Sequence, residues 1–314
     1  MVFIVWTPTL KGSEKYRPKR QRYLPYYRSF LEGTLNRHAY LIIAYAQPLM
    51  LQRLIEAIDD ERNDIFVHID KKASFDGSSL NTRHSTLHVY RSIDARWGDV
   101  SLVKVELLLM EAALKQDSYS YLHLLSDSDY PIKSQDYIHA ACERLAGHEF
   151  IGFSEPSPNE LKVKIQRYHL FPEDFRNRHL YKHILRKGWL TMQSLTGYRR
   201  HASMTFRKGP QWWSVTGGFA LYVCQHREAI LNTYHHTFCP DEVFIQTLCW
   251  DSPFKYNIDN AADEFIGCRR YIKWTDNTIE PITKDDIPSM VASPCWFGRK
   301  FSEEWSIEQI ITQS

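Results

Sequence analysis

Three short stretches of the 314-residue sequence carry side chains that could move a proton or hold an anion. Asp127-Ser128-Asp129 is an Asp-x-Asp. Its two carboxylates either hold a divalent cation or, through Asp129 with Tyr130 and Pro131, shape the turn of a pocket. Pro240-Asp241-Glu242 sets two carboxylates directly after a proline. The pattern suits a helix start, where proline fits the first position and acids offset the positive dipole end. It also suits a general base, which must come within about 3 Å of the hydroxyl it deprotonates. Glu242 has the longer reach, and the shorter Asp241 is suited to holding the loop. Arg299-Lys300 places two cations among Trp296, Phe297 and Phe301. Such flanks imply an anchored segment, and fixed cations lower a barrier most where negative charge develops. Lys162, Lys164, Arg167, Tyr168, Trp212 and Trp213 add bases and aromatic rings that either contact sugars or pack structurally.

The elements around these groups can be read from apolar patterning. Residues 38–45 and 64–70 are near-continuous apolar runs of strand length, 85–90 is a third and 120–125 a fourth. The second ends in Asp70, and the fourth runs into Asp127. Between them, 47–58 places Leu49, Leu51, Leu54, Ile55 and Ile58 at helical spacing. Residues 98–115 predict a long helix with Leu102, Val105, Leu108, Leu109 and Ala112 on its apolar face. Strands alternating with helices imply an α/β fold with a mainly parallel sheet, and ligands of such sheets bind beyond the carboxyl ends of the strands. Residues 161–201 are rich in bases and aromatics without a sustained apolar period, which predicts loops and short helices. A strand-like pattern returns at 213–223, interrupted by Gly217-Gly218, and a helix follows before Cys239.

Hydrophobic residues make up 43% of the chain, enough for one large domain, expected over 38–314 with halves at 38–155 and 156–314. The net charge of +2 excludes a polyelectrolyte partner, so no nucleic acid is expected. Six cysteines without a CxxC pair read as reduced, mostly buried thiols, with no structural metal. Residues 1–37 read as a basic extension: the cluster at 15–22 sits beside a short apolar start, either as a solvated arm or in peripheral contact with anionic lipid. That apolar start is too short for a membrane span or a secretory signal, which predicts a cytoplasmic protein, at most at the inner face of the membrane.

Taken in order, several segments resemble the core-2/I-branching N-acetylglucosaminyltransferase family, which includes the peptide O-xylosyltransferases. They are residues 66–72, Arg96-Trp97-Gly98, 124–132, 209–214, 240–247, 270–274 and 296–301. The resemblance implies a GT-A-like nucleotide-diphospho-sugar transferase fold and an inverting reaction that needs no divalent metal. It further implies a UDP-sugar donor, UDP-GlcNAc foremost with UDP-xylose and UDP-glucuronate as alternatives, a glycan acceptor and a bacterial polysaccharide pathway. By the same resemblance Glu242 matches the base, Asp70 a uridine contact, Lys300 a diphosphate ligand and Trp274 an aromatic at the sugar. Acceptor contacts would fall near Arg167, Tyr168, Trp212, Trp213 and Asp129. The family's upstream diphosphate arginine has no match, since 283–294 contains none, which leaves Arg299 or Arg270 to replace it. Asp127 and Asp129 keep a manganese- or magnesium-dependent alternative open, and a catalytically silent carbohydrate-binding relative is the alternative from another class.

Overall fold

The computed structural model describes residues 36–176, 179–275 and 278–302. Of the basic extension expected over 1–37, only the last two residues fall inside that part, so its lipid contact lies outside the described residues.

The apolar runs become strands buried on both faces. β1 (His38–Ala44), β2 (Asn63–Ile69) and β4 (Tyr121–Ser126) bury nearly every residue, which is why they show no in–out alternation. Between β1 and β2 lies α1 (Pro48–Ile58), opened by its proline and packed through Met50, Leu51, Leu54, Ile55 and Ile58. β3 (Thr86–Tyr90) is an edge strand, and α2 (Ser101–Gln116) connects it to β4. There follow β5 (Asp129–Pro131), α3 (Gln135–Arg144), β6 (Phe150–Ile151), α4 (Glu160–Lys164) and α5 (Leu180–Leu195). Next come β7 (Trp213–Thr216), α6 (Gly217–Gln225), α7 (Arg227–Tyr234), a 3-10 turn (Pro240–Glu242) and α8 (Phe244–Trp250). The described chain closes with α9 (Glu264–Cys268), β8 (Arg270–Ile272), β9 (Trp274–Thr275), β10 (Thr278–Ile279), α10 (Ile287–Ala292) and β11 (Phe297–Arg299).

The main sheet has the order β3-β2-β1-β4-β7-β6. Its first four strands are parallel, whereas β7 runs against β4 and β6 against β7. The expected mixed, mainly parallel sheet flanked by helices is therefore the fold. A second sheet, β5-β11-β8, lies at the carboxyl end of β4, with Arg299 opposite Asp129 on one side and Ile272 on the other.

Three local expectations differ from the structure. The strand-like stretch 213–223 turns into a helix after Thr216, whose hydroxyl caps it by accepting from the Phe219 amide at 3.1 Å. The expected loops of 161–201 contain the sixteen-residue α5. In α2 the buried face is turned from the expected one: Val103, Leu107, Met110 and Ala113 join Val105 and Leu109 in the core while Leu102, Leu108 and Ala112 stay half-buried, because the helix packs on β1 and β2 and also against α6. That same helix buries Glu106 completely.

Candidate active site

The carboxyl ends of the parallel strands gather the polar groups. Asp70 follows β2, where its amide bonds the carbonyl of Ala44 at the end of β1. Its carboxylate accepts from the amides of Lys72 at 2.7 Å and Ala95 at 2.9 Å, pinning the loop that leads into α2. Asp70 is thus buried at the edge where the resemblance puts the uridine.

Beyond β4, Asp127 bends back over the β1–α1 loop. Its Oδ2 accepts from the amides of Tyr45, Ala46 and Gln47 at 2.7, 2.9 and 3.3 Å. Asp129 accepts from the Ser126 amide and faces the guanidinium of Arg299 at 3.4 Å. Burial pushes its carboxyl up, while Arg299 opposes the shift. The first acid is spent on a loop and the second on an internal ion pair. Asp129 is 1% exposed and so is not open to an acceptor; of the roles considered for it, it takes the one that shapes the turn after β4, with its Oδ1 facing only the Arg299 guanidinium.

Arg299 is buried, with its guanidinium 3.8 Å from the centroid of the Trp212 ring. Neither residue is open to a large ligand: Trp212 is a platform for Arg299, and Arg299 is the counter-charge of Asp129. Lys300, next in sequence, is exposed, and its carbonyl accepts from Ile282 at 2.9 Å while the Phe301 amide bonds the Ser128 carbonyl at 2.8 Å. Backbone bonds thus hold Lys300 beside the turn after β4, with its side chain projecting from the buried aromatics. Trp274, on the β9–β10 hairpin, is also exposed.

Three further expectations, Arg270, Trp213 and Arg167, need correction. Arg270 is fully buried, and it donates to the carbonyls of Leu124, Trp213 and Cys268 at 3.0, 2.8 and 2.6 Å. It rivets β8 to β4 and β7 and, buried to 1% exposure, presents no open face to a diphosphate. Trp213 is buried as well, its indole N–H donating to Glu106 at 3.1 Å. Arg167 is buried and donates to the carbonyl of Leu190 on α5. Tyr168 stacks on His236 at 4.3 Å and is held by Gln193 through both its amide and carbonyl.

Glu242 ends the 3-10 turn that Pro240 opens. The Cys239 amide bonds the carbonyl of Gly98 at 2.9 Å, and the Glu242 carbonyl accepts from Gly209 at 3.0 Å. These bonds tie Glu242 to the loop that Asp70 anchors and to the segment that leads through Trp212 to Arg299. The carboxylate keeps 34% of its side-chain surface open and meets the Lys164 ammonium at 3.3 Å. Lys164 also pairs with Glu160 at 2.9 Å, and Glu160 with Lys208 at 2.7 Å. Although burial lowers it, Glu242 and Glu160 hold Lys164 above its usual range. Sequence reading missed this relay, although Glu160 and Lys164 stand at the i,i+4 spacing of a helical ion pair.

Beneath the base lies Asp241, buried, with no hydrogen bond to its Oδ1. Burial first, and then the Glu242 charge, push its carboxyl up to about 7. Its neighbour Glu106 is raised by burial and held by Gln211 and Trp213. A cavity of ≈ 490 Å³ is lined by Phe153, Phe206, Arg207, Lys208, Trp250 and Glu264 among others, and Lys208 links it to Glu242 through Glu160 and Lys164. None of Glu242, Asp70, Trp274 and Lys300 lines it.

Among the described residues one trio lies close enough to share a metal: His38, His123 and Cys142, all in the core. There the two rings bond each other at 3.1 Å, and His123 holds Ser214 at 2.8 Å. All six cysteines are free thiols.

A mainly parallel α/β sheet with charged side chains beyond the carboxyl ends of its strands is a common setting for ligand binding in such folds. Residues 38–304 match the Core-2/I-Branching enzyme family, and the chain belongs to that family of glycosyltransferases. Among curated relatives, rat xylosyltransferase 2 is 23% identical over 296 residues, covering 86% of this chain and 32% of its own length. Human xylosyltransferase 1 is 22% identical over 289 residues, 84% of this chain and 29% of its own. The chain thus spans about a third of the length of the curated relatives it matches. Among solved structures, mouse xyloside xylosyltransferase 1 in its apo form aligns at 10% identity with a TM-score of 0.34, over 84% of this chain and 97% of that one.

Proposed function

We propose that the chain transfers a sugar from a UDP-sugar to a hydroxyl of a carbohydrate or glycoconjugate acceptor, inverting the anomeric carbon, with Glu242 as general base. The observation that carries this reading is the Glu242 carboxylate: partly open, aimed by Lys164 and bonded into the loops that hold Asp70 and Arg299. The acceptor oxygen attacks the anomeric carbon opposite the diphosphate and loses its proton to Glu242. The anomeric C–O bond breaks, and UDP leaves with the electron pair. Lys300 offsets the charge gathering on the diphosphate. Asp70 meets the uridine, and Trp274 offers its ring to the donor sugar.

The reaction proceeds without a divalent ion in this reading. Asp127 is engaged by three amides and Asp129 by Arg299, so basic side chains supply the positive charge. For the donor, the likeness to xylosyltransferases favours xylose over the GlcNAc that the resemblance first suggests. A panel of UDP-sugars in chelator decides: protection against unfolding and UDP release should be largest with UDP-xylose or UDP-GlcNAc. A chain that binds sugars yet releases no UDP from any donor would be a silent binding relative instead. Activity lost in chelator and restored by manganese would return Asp127 and Asp129 to a metal.

A further inference from the structure

Helix α5 is turned inside out. Leu180, Tyr181, Ile184, Leu185, Met192 and Leu195 fall on one continuous arc of its surface, and that arc faces outward: Leu180 is 71% and Leu195 84% exposed. The polar residues point inward. Gln193 is 2% exposed and exchanges hydrogen bonds with the backbone of Tyr168 at 2.8 and 2.9 Å. Arg186 donates to the carbonyls of Leu170 and Phe171 at 3.1 and 3.0 Å and lies over the Phe175 ring. Lys182 pairs with Asp174. A helix fastened to its domain by its polar side leaves its apolar side for something else to cover.

Charge selects the cover. Residues 175–208 contain no Asp or Glu and nine Lys or Arg. Arg176 before the helix, Lys187 at the border of the apolar arc and Arg199 after it are all exposed. An apolar helix face rimmed by cations is complementary to the surface of an anionic bilayer, where acyl chains take the arc and headgroups the rim. A second copy would bring the same cationic rim against itself. Residues 1–35 hold seven Lys or Arg against two Glu, so that segment offers no complementary charge either.

We propose that α5 is a membrane-surface docking face, lying in the interface of an anionic lipid bilayer. Tyr168, which Gln193 grips, lies four residues after Lys164, the end of α4, so docking brings the partner of Glu242 toward lipid-borne material. The proposal rests on exposure and charge and stands apart from the transfer reading.

The test is flotation of the full chain with vesicles of phosphatidylcholine alone or mixed with phosphatidylglycerol. Binding is expected to the mixed vesicles, weakening with salt. The double variant Ile184→Glu/Leu195→Glu should lower that affinity about tenfold while leaving the melting temperature unchanged. Should that variant melt early, Leu180→Ser alone, at a largely exposed position, should still weaken binding. Neutralising the basic residues of 15–22 separates the N-terminal cluster from this face, and its binding loss should add to that of the helix variant. The proposal is overturned if wild type ignores both vesicles, or if the helix variants float as wild type does. It is equally overturned if wild type instead forms a concentration-dependent dimer that the double variant dissolves.

Discussion

In the proposed reaction the Glu242 carboxylate must be aimed at the attacking hydroxyl, and Lys164 holds it from 3.3 Å. Replacing Lys164 with Met should keep the fold and lower kcat about tenfold with little change in donor KM, because the loss falls on the reacting geometry. An unchanged kcat would show that the pair does not orient the base. In the proposed reaction Lys300 acts at the other end of the broken bond. Lys300→Ala should weaken UDP binding by about 1.5–3 kcal/mol, the range for a hydrogen bond to a charged group, as read by calorimetry. Equal affinity would remove Lys300 from the diphosphate. At this scale the sequence was informative about types and poor about burial. Glu242, Lys300 and Trp274 could be chosen because their side chains are open in the structure as well as plausible in pattern. Arg270, Trp213 and Asp129 have the same chemistry, yet long-range bonds consume them, and nothing local announces such partners.

The elements that aim these groups depend on close backbone approach. Gly209 carries the amide that holds the Glu242 carbonyl, and it runs beside Gly152. A Cβ on Gly209 would lie 2.0 Å from the Gly152 carbonyl oxygen, a clash with backbone that no rotamer relieves. Gly209→Ala should therefore cost about 1–3 kcal/mol in denaturant unfolding. Turnover should fall too, since the loop of the base must shift. Wild-type stability in that variant would contradict the close approach. Strands β1, β2 and β4 were legible because burial on both faces leaves unbroken apolar runs. Helix α5 was not, because an outward apolar face and an inward polar one offer no core-facing stripe to recognise. The β7–α6 junction was misread for another reason: the apolar run continues through it, and only the cap at Thr216 marks the change of period.

The whole molecule keeps several acids out of water, and this sets its response to pH. Burial raises Asp241 to about 7, Glu149 to about 8 and Glu106 well above the carboxylate range. Each binds its proton more tightly folded than unfolded. Their stabilisation is complete below the unfolded carboxylate range and is lost as pH climbs through the folded values. Stability should thus decline between about pH 4 and 8, and Asp241→Asn should flatten the part of the decline that ends near 7. Melting curves across that range check both, and a wild-type decline that Asp241→Asn leaves intact would free Asp241 from the effect. The core and the site are linked through these acids, since Asp241 lies directly under Glu242 in the same turn. The most direct test of the account is UDP release in chelator, measured for wild type and Glu242→Gln side by side with UDP affinity recorded for each. The account predicts full wild-type turnover without a divalent ion, and a variant that binds UDP normally but turns over about 10²–10⁴-fold more slowly. A Glu242→Gln enzyme running at the wild-type rate would contradict it.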